Sequence, residues 1–470
     1  MSRTGQTGPY TDPEPRRITF DEWGELFQKI PDELIEQFHY FPPNREPWSA
    51  YLFPPQTFAI YGCRHLRRLK FDNSLAALRL WGFVQNETER LFRARQTGRR
   101  VIATMGDLGA IPVIVNSFPD CLAFYPDCIW WTPFVMESSV LLDTATKLGV
   151  GEMTCFSRAA LGAFAKQAYF PAPDLVIAAT GASCDDYSGI EQLVADLVPE
   201  VLWVEIPFRC EARNRTPADR TYAHQLLVAE YQRVVARLEL LTGHRLTAAE
   251  LQAGISRANR VRRMVTRLRE LAYGLGVLPA LEMMVIEFGN LHYYSDIDEW
   301  TTILAHLVAT AEARARAGQR LHPVDAVRLI WVTPPADPLL LCYVEDEGGR
   351  VVGTEYVINQ ALVPIAEHRP GLEAIAESFM AASLIGSTRE RIAAVFQQAI
   401  EHQAEGVIVS GILGGSHCAM ESRLITDYVQ QELGLPVLEF DVAPPGPELD
   451  RQTTTRIDAF LELVRSRRTG

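Results

Sequence analysis

The chain has 470 residues, and its 45 lysines and arginines against 58 aspartates and glutamates give a formal net charge of −13. Apolar residues make up 47% of the sequence and charged residues 22%, which is typical of globular proteins and excludes collagenous, mucin-like and broadly disordered classes. The negative net charge argues against a general nucleic-acid binder, because such proteins carry a positively charged binding surface.

The N-terminal sequence contains no apolar stretch of the length that a signal peptide needs. No run of the chain approaches the ~18 uninterrupted apolar residues of a membrane-spanning helix. We therefore expect a cytoplasmic protein without a membrane partner. In that reducing compartment the eight cysteines are expected to be core residues, reduced thiols or metal ligands rather than a disulfide framework.

The N-terminal part of the chain is predicted to be a tail followed by helices. Thr19 and Glu22 have the spacing of a capping box, which predicts a helix that begins there and runs towards Phe38. A longer amphipathic helix is predicted over 74–95, with Gly98 as the glycine that ends it.

Short apolar runs alternate with helical patterns after this part, which is typical of a parallel α/β domain. The run 174–180 is apolar between Pro173 and Gly181, as in a strand that is buried on both faces. Strands are predicted over 101–105, 112–118, 174–180 and 201–206, and helices over 135–148 and 157–167.

A helical stretch over 216–318 separates this region from a second one of the same kind. The basic run 257–269 within it is interpreted as a solvated helix face. In the second region, strands are predicted over 327–333, 351–356, 406–410 and 436–440, and helices over 388–405, 419–434 and 454–467. No internal repeat is visible in the sequence.

The pattern as a whole predicts an α/β protein with two parallel-sheet domains, a helical N-terminal part and a helical insert. The N-terminal tail and helical region is expected over 1–98 and the first α/β domain over 99–215. The helical region is expected over 216–325, and the second α/β domain over 326–470.

Three cysteines stand where an α/β fold builds ligand sites. Cys184 and Cys418 each follow a predicted buried strand, and Cys155 stands at the start of a predicted helix. Ligands of open parallel sheets bind beyond the carboxyl ends of the strands, and helix N-termini stabilise thiolates, which ligate metals. Three thiolates from two facing domains can therefore converge in one cleft. Taken singly, each cysteine is more simply explained as a buried inert thiol.

Other chemistries find little support in the sequence. It lacks the phosphate-binding loop of ATP-hydrolysing proteins, the dinucleotide-binding glycine fingerprint and the nucleophile elbow of hydrolases. Zinc is disfavoured because no paired Cys/His spacing occurs. His417 and Cys418 are adjacent, and adjacent residues seldom face each other as a Cys–His dyad requires. Cys342 lies in an apolar run and is interpreted as core.

The segments Cys155–Gly162, Pro171–Val176 and Cys184–Asp185 resemble the iron–sulfur component shared by 2-hydroxyacyl-CoA dehydratases and ATP-dependent benzoyl-CoA reductases. Gly353–Tyr356 and Ser416–Ala419 are more similar to the larger active-site subunit of benzoyl-CoA reductase than to the dehydratases. Together with a closing helical segment, the resemblance covers roughly residues 75–470.

The resemblance implies two Rossmann-like domains, with one [4Fe–4S] cluster in the cleft between them. Its iron ligands are then Cys155, Cys184 and Cys418. A double-cubane cluster is the alternative, and it would draw on further thiolates. The candidates for those thiolates are Cys63, Cys121 and Cys128.

The implied activity is that of an oxidoreductase subunit of the benzoyl-CoA reductase type, which performs a one-electron, dearomatising reduction of an aromatic acyl-CoA. The implied partners are a homologous cluster-bearing subunit and an ATP-hydrolysing iron–sulfur activator, so no ATP site is expected on this chain. His417, Glu355 and Tyr356 are candidate proton donors. Structural roles are the alternative for each: a hydrogen bond for His417 and core contacts for Glu355 and Tyr356.

Three other functions stay open at this point. A 2-hydroxyacyl-CoA dehydratase subunit would use the electron catalytically, without net reduction of its substrate. A double-cubane reductase of the same superfamily would act on small molecules. A scaffold subunit would keep the fold without a cluster, although the presence of all three expected cysteines argues against it.

Overall fold

The structure is a computed structural model that describes residues 10–37, 52, 55, 66–105, 109–126, 139–181, 184–207, 216–292, 294–333, 335, 337–383, 385, 387–442 and 448–468. The strands are β1 (Arg17–Thr19), β2 (Lys70–Asp72), β3 (Arg100–Met105), β4 (Cys121–Phe124), β5 (Leu175–Gly181), β6 (Val201–Ile206), β7 (Val327–Val332), β8 (Gly349–Glu355), β9 (Gly406–Ile412) and β10 (Val437–Val442).

The helices lie mostly between these strands. In the first half of the chain they are α1 (Phe20–Gln28), α2 (Asp32–Gln37), α3 (Leu75–Gln85), α4 (Glu87–Gln96), α5 (Ile111–Val115), α6 (Ser139–Lys147), α7 (Ala159–Lys166), α8 (Asp185–Val194) and α9 (Pro217–Thr242). In the second half they are α10 (Ala248–Leu275), α11 (Ala280–His292), α12 (Ile297–Arg316), α13 (Leu339–Asp346), α14 (Gly371–Met380), α15 (Thr388–Glu401), α16 (Ser416–Ala419), α17 (Ser422–Tyr428) and α18 (Arg451–Arg467).

Two four-stranded parallel sheets form the frame of the molecule, which confirms the α/β prediction and is consistent with two Rossmann-like domains. The strand order is β4-β3-β5-β6 in one sheet and β8-β7-β9-β10 in the other. In both sheets the first strand therefore lies between the second and the third, and the fourth lies beside the third. The two sheets share one topology, although no repeat is visible in the sequence.

Apolar strands explain why helices cover both faces of the second sheet. Ile330 and Val332 of β7 face a cluster built with α15 and α17, whereas Leu329 and Trp331 face the large core that runs through the rest of the chain. This alternation follows from the two-residue period of a strand. All residues of β9 are buried, as expected for a central strand of a parallel sheet.

The strand predicted over 112–118 is wrong. This segment contains helix α5, and the strand is β4, which begins at Cys121. Pro112 stands in the first turn of α5, where a proline is favoured because its ring fixes φ and no partner for an N–H is needed. The segment is buried on all sides, so its apolar run has no helical or strand period.

Two predicted helices are each divided in the structure. The capping box of Thr19 and Glu22 is confirmed, but α1 ends at Gln28 and α2 begins beyond Pro31. The helix predicted over 74–95 is split into α3 and α4, with Asn86 as the last cap of one and the first cap of the other.

A short antiparallel ribbon of β1 and β2 joins the N-terminal part to the helical region, and the sequence pattern did not predict it. Trp23 and Phe71 stack with ring centroids 4.5 Å apart beneath it. Asp72 at the end of β2 accepts two hydrogen bonds from the buried guanidinium of Arg314 on α12. These contacts hold the ribbon against the helices.

The helical prediction over 216–318 is confirmed by α9 to α12, two of which begin at threonine capping boxes. The interpretation of 257–269 as a solvated face is wrong in part. Arg262 is buried, and Arg269 forms an ion pair with the buried Glu287. Within the described part of the chain, no helix is both long and apolar enough to cross a membrane.

Candidate functional site

Two of the three singled-out cysteines lie beyond equivalent strands of the two sheets. In each sheet the second and third strands lie on opposite sides of the first strand. The connections that leave the first strand and its neighbour therefore run in opposite directions, which makes a topological switch point. Ligands of open parallel sheets bind at such a switch point, outside the carboxyl ends of the strands. Cys184 follows β5 and Cys418 follows β9, which are the third strands of their sheets.

The third cysteine comes from a loop before a helix. Cys155 directly precedes a 3₁₀ turn over Phe156–Arg158 that leads into α7, and Cys184 directly precedes α8. The N–H groups in the first turn of a helix favour an anion at such a position. Both residues therefore stand where a thiolate is stabilised.

A close backbone contact brings the Cys155 loop and the Cys418 loop together. Gly414 has a φ of +78°, and a Cβ atom at this position would collide with the carbonyl oxygen of Met153. Only glycine combines this backbone conformation with this approach. The loop after β9 therefore lies directly against the residues that lead to Cys155.

The other two singled-out cysteines influence the pKa of Cys418. Burial raises the pKa of Cys418 well above its usual range, and the next causes of the increase are Cys155 and Cys184. Charges influence one another strongly only over short distances in a protein. The two neighbouring thiols therefore lie close enough to make a thiolate at Cys418 unfavourable when no metal compensates it.

Among the described residues, no three histidine, cysteine, aspartate or glutamate side chains lie close enough to hold a single metal ion. An iron–sulfur cubane places different demands on its site, because each thiolate binds a different iron atom. Its ligands therefore stand further apart than those of one ion. A set of three thiols from three loops fits such a cluster in number and in donor type.

Two buried arginines face this site. Arg158 donates a hydrogen bond to the carbonyl of Thr154. Burial lowers the pKa of Arg158, and the charge of Cys155 is the largest of the influences that oppose this decrease. Burial and the two other thiols raise the pKa of Cys418, and the guanidinium of Arg391 offsets part of that rise. Both cations favour the thiolate form of the cysteine beside them.

Arg391 is fully buried and is held by two carboxylates. Its Nε and Nη2 donate to the two oxygens of Glu355 at 2.9 and 2.6 Å, and its Nη1 donates to Glu421 at 2.6 Å. Glu355 ends β8, Arg391 lies on α15, and Glu421 follows α16. A carboxylate held by both prongs of a guanidinium suits a positioning role, so the part of Glu355 as a proton donor stays a prediction.

The family model of the 2-hydroxyglutaryl-CoA dehydratase D-component matches residues 129–464, which is well over half of the chain and includes Cys155, Cys184 and Cys418. The chain belongs to this family. It is therefore a component of a dehydratase- or reductase-type enzyme, and iron–sulfur centres are characteristic of such components. A comparison with curated proteins finds no match.

In this member of the dehydratase family, the stretch Gly353–Tyr356 divides its side chains between two networks. The Thr354 hydroxyl donates to the buried carboxylate of Glu287, whose two oxygens lie 3.0 and 2.9 Å away, and Glu287 also accepts from Tyr273 at 2.6 Å. Glu355 points the other way, to Arg391. Successive side chains of a strand point to opposite faces of the sheet, so Thr354 and Glu355 hold the end of β8 from its two faces.

The other two proton-donor candidates differ in how far the structure describes them. Tyr356 is fully buried, and burial, followed by the charges of Tyr273 and Glu287, raises its pKa well above the usual range. Its hydroxyl therefore keeps its proton. The backbone of His417 lies in α16, and its side chain lies outside the described residues. Both roles stay predictions.

The described cysteines outside the site are buried thiols. Burial raises the pKa of Cys121 and that of Cys342 to about 12. Cys121 is the first residue of β4, whereas Cys184 follows the last residue of β5. Because these strands run parallel, the two cysteines lie at opposite ends of the strands of the sheet. This position argues against Cys121 as a ligand of a second cubane. Cys63, Cys128 and Cys210 lie outside the described residues.

Sequence reasoning missed Arg391, Glu421 and Gly414. Glu421 follows Cys418 by three positions and Gly414 lies in the glycine pair before it, so both were within reach of a search around that cysteine. Arg391 is an ordinary arginine in the first turns of a helix, and only the crossing of α15 over β8 brings it to the site. No sequence signal marks it.

Proposed function

We propose that the chain is the cluster-bearing active-site subunit of an ATP-dependent benzoyl-CoA reductase-type enzyme, which adds single electrons to an aromatic acyl-CoA. The proposal is carried by the positions of Cys184 and Cys418 beyond the third strands of two sheets of one topology, and by the contact of Gly414 with Met153, which brings the loop before Cys418 against the residues that lead to Cys155. The similarity of Gly353–Tyr356 and Ser416–Ala419 to the larger benzoyl-CoA reductase subunit supports the reductase assignment.

The residues of this chain would hold the cluster and control its surroundings. Cys155, Cys184 and Cys418 provide thiolates, and a [4Fe–4S] cluster held by them would supply electrons singly at low potential. Arg158 and Arg391 stabilise negative charge at two of these thiolates. Reduction of an aromatic ring also consumes protons, and Tyr356 is a candidate donor whose burial raises its pKa and so opposes release of its proton.

Two protein partners belong to this proposal. The sequence contains no phosphate-binding loop, so ATP hydrolysis is assigned to a separate iron–sulfur activator that delivers the electrons. A homologous cluster-bearing subunit completes the catalytic half. The substrate would lie near a cluster, with its thioester carbonyl or its ring as the electron acceptor.

A dehydratase subunit is the second candidate, and the description of the matching family model favours it. The two activities differ in their use of electrons. A reductase consumes reductant in proportion to its product, whereas a dehydratase recycles the electron and needs it only for activation.

The test is an anaerobic assay of the complete enzyme with its activator, in which the consumption of a limiting reductant is compared with product formation. We expect benzoyl-CoA to be reduced with reductant consumed stoichiometrically. Conversion of a 2-hydroxyacyl-CoA to the enoyl-CoA, with many turnovers per electron and no reaction of benzoyl-CoA, would replace the reductase assignment by the dehydratase one. The Cys155→Ala enzyme serves as the control for background turnover.

A further inference from the structure

Thr333 has a backbone conformation that a β-branched residue rarely adopts. It directly follows β7, the strand that lies between β8 and β9, and its φ is +64°. A positive φ at a β-branched residue is strained, and such strain persists only where the surrounding structure enforces it. Thr333 is 1% exposed, so the strain lies in the interior, at the switch point of the second sheet.

The neighbouring strands hold both backbone groups of Thr333. Its N–H donates to the carbonyl of Glu355 at the end of β8 at 3.0 Å, and its carbonyl accepts from the hydroxyl of Ser410 on β9 at 2.9 Å. The same hydroxyl lies 3.3 Å from the carbonyl of Val332. The Ser410 oxygen accepts from the indole N–H of the buried Trp331 at 2.8 Å, which leaves the serine proton for these carbonyls. The contacts around Thr333 therefore join the ends of β7 and β8 to β9.

Glycine would meet the same backbone demand without strain. At the carboxyl ends of β5 and β9, positive φ values fall on glycines, with +98° at Gly181 and +78° at Gly414. Glycine adopts such values at no steric cost. The end of β7 thus carries a threonine where two other strand ends of the fold use glycine. A side chain at this position restricts the turn, because it removes backbone conformations that glycine would allow.

We propose that Thr333 is a positioning residue that fixes the end of β8 relative to β9. Glu355 directly precedes the candidate proton donor Tyr356, and β9 leads into the loop of Cys418. A restricted turn between the two strands holds the donor in place relative to the cysteine loop. A proton donor must lie within hydrogen-bond reach of its target, so a loose turn slows the transfer. This inference rests on the proposed function, because it requires turnover at the three cysteines.

The test compares Thr333→Gly with the wild type in the complete enzyme, supplied with its activator and with benzoyl-CoA. Glycine relieves the strain and loosens the turn. We expect unchanged iron content, a urea unfolding midpoint no lower than that of the wild type, and a kcat about tenfold lower at unchanged KM. Thr333→Ser keeps a side chain on the strained backbone, so it is expected to retain the kcat of the wild type.

The matched control is Gln403→Gly. Gln403 also has a positive φ, of +50°, but it lies between α15 and the first residue of β9, at the end of the sheet opposite to Thr333. Glycine relieves the backbone there as well, without touching the carboxyl ends of the strands. The kcat of this variant is expected to equal that of the wild type.

Several outcomes would overturn this inference alone. One is an iron-loaded Thr333→Gly enzyme with the kcat of Gln403→Gly, and another is a Thr333→Ser enzyme as slow as Thr333→Gly. A urea midpoint that falls together with kcat would make Thr333 a packing residue instead.

Ser410→Ala is the second variant if Thr333→Gly does not fold, because it removes the hydroxyl that holds the Thr333 carbonyl. We expect the same fall in kcat at unchanged KM, and a kcat equal to that of the wild type would overturn the inference. Failure of both variants to fold would also overturn it, by showing a purely structural role. A wild-type enzyme without iron, or without turnover of benzoyl-CoA, would overturn the proposed function and this inference with it.

Discussion

Arg391 binds two carboxylates in the interior, and its removal would leave both of them buried without their cation. Removing one partner of a buried ion pair costs about 3–5 kcal/mol, whereas an exposed pair is worth at most about 1 kcal/mol. We expect Arg391→Met to lower the free energy of unfolding, measured by urea unfolding, by about 3–5 kcal/mol. Arg423→Met breaks an exposed pair and is the control. Equal losses in the two variants would contradict the buried geometry.

Glu282 predicts a pH dependence of stability that is independent of any cofactor. Burial, reinforced by the charge of Asp72, raises its pKa to about 8, and its Oε1 accepts from Trp81 and from the backbone of Asp72. The folded protein therefore binds a proton that the unfolded chain releases near pH 4.5. Stability from this group is complete below that pH and is lost as the pH rises towards 8, by about 1.4 kcal/mol per pH unit.

The measurement is urea unfolding at several pH values between 5 and 9 for the wild type and Glu282→Gln. The glutamine keeps the acceptor oxygen and does not titrate. We expect the variant to lose less stability than the wild type across this range. Parallel curves for the two proteins would show that Glu282 is ionised in the folded state.

At the scale of single elements, the loop after β9 depends on Gly414. Alanine there would combine an unfavourable positive φ with a collision against the Met153 carbonyl, so the Cys418 and Cys155 loops would move apart. Gly434 also has a positive φ, of +63°, but has open space around its Cβ position. We expect Gly414→Ala to lower the iron bound per chain, and Gly434→Ala to cost stability without loss of iron. Equal iron in both variants would rule out a role for the loop contact.

The sequence predicted most elements because their apolar periods are clear. The strands β5, β6 and β9 and the helices from α9 to α12 lie close to where the patterns placed them. The prediction failed at α5, where complete burial removes any period, and at the ribbon of β1 and β2, whose strands of three residues are too short to show one. The break between α3 and α4 at Asn86 carries no proline or glycine signal.

For the molecule as a whole, the sequence indicated two parallel-sheet regions but not their common strand order. That order depends on which strands pair, and pairing is a long-range choice that a local period does not encode. The boundaries at 98, 215 and 325 stay predictions. The three cysteines could be singled out because strand ends and helix starts are visible in sequence. Arg391 could not be singled out, because it reaches the site only through tertiary packing.

The amount of iron and acid-labile sulfide bound by the chain, when it is purified without oxygen, shows whether the three cysteines hold a cluster. We predict about four iron atoms per chain, lowered by Cys155→Ala, Cys184→Ala or Cys418→Ala, with Cys121→Ala as the matched control that retains them. About eight iron atoms per chain would indicate a double-cubane cluster instead. A folded protein that binds no iron, or iron that is unaffected by alanine at the three cysteines, would show that these cysteines hold no cluster.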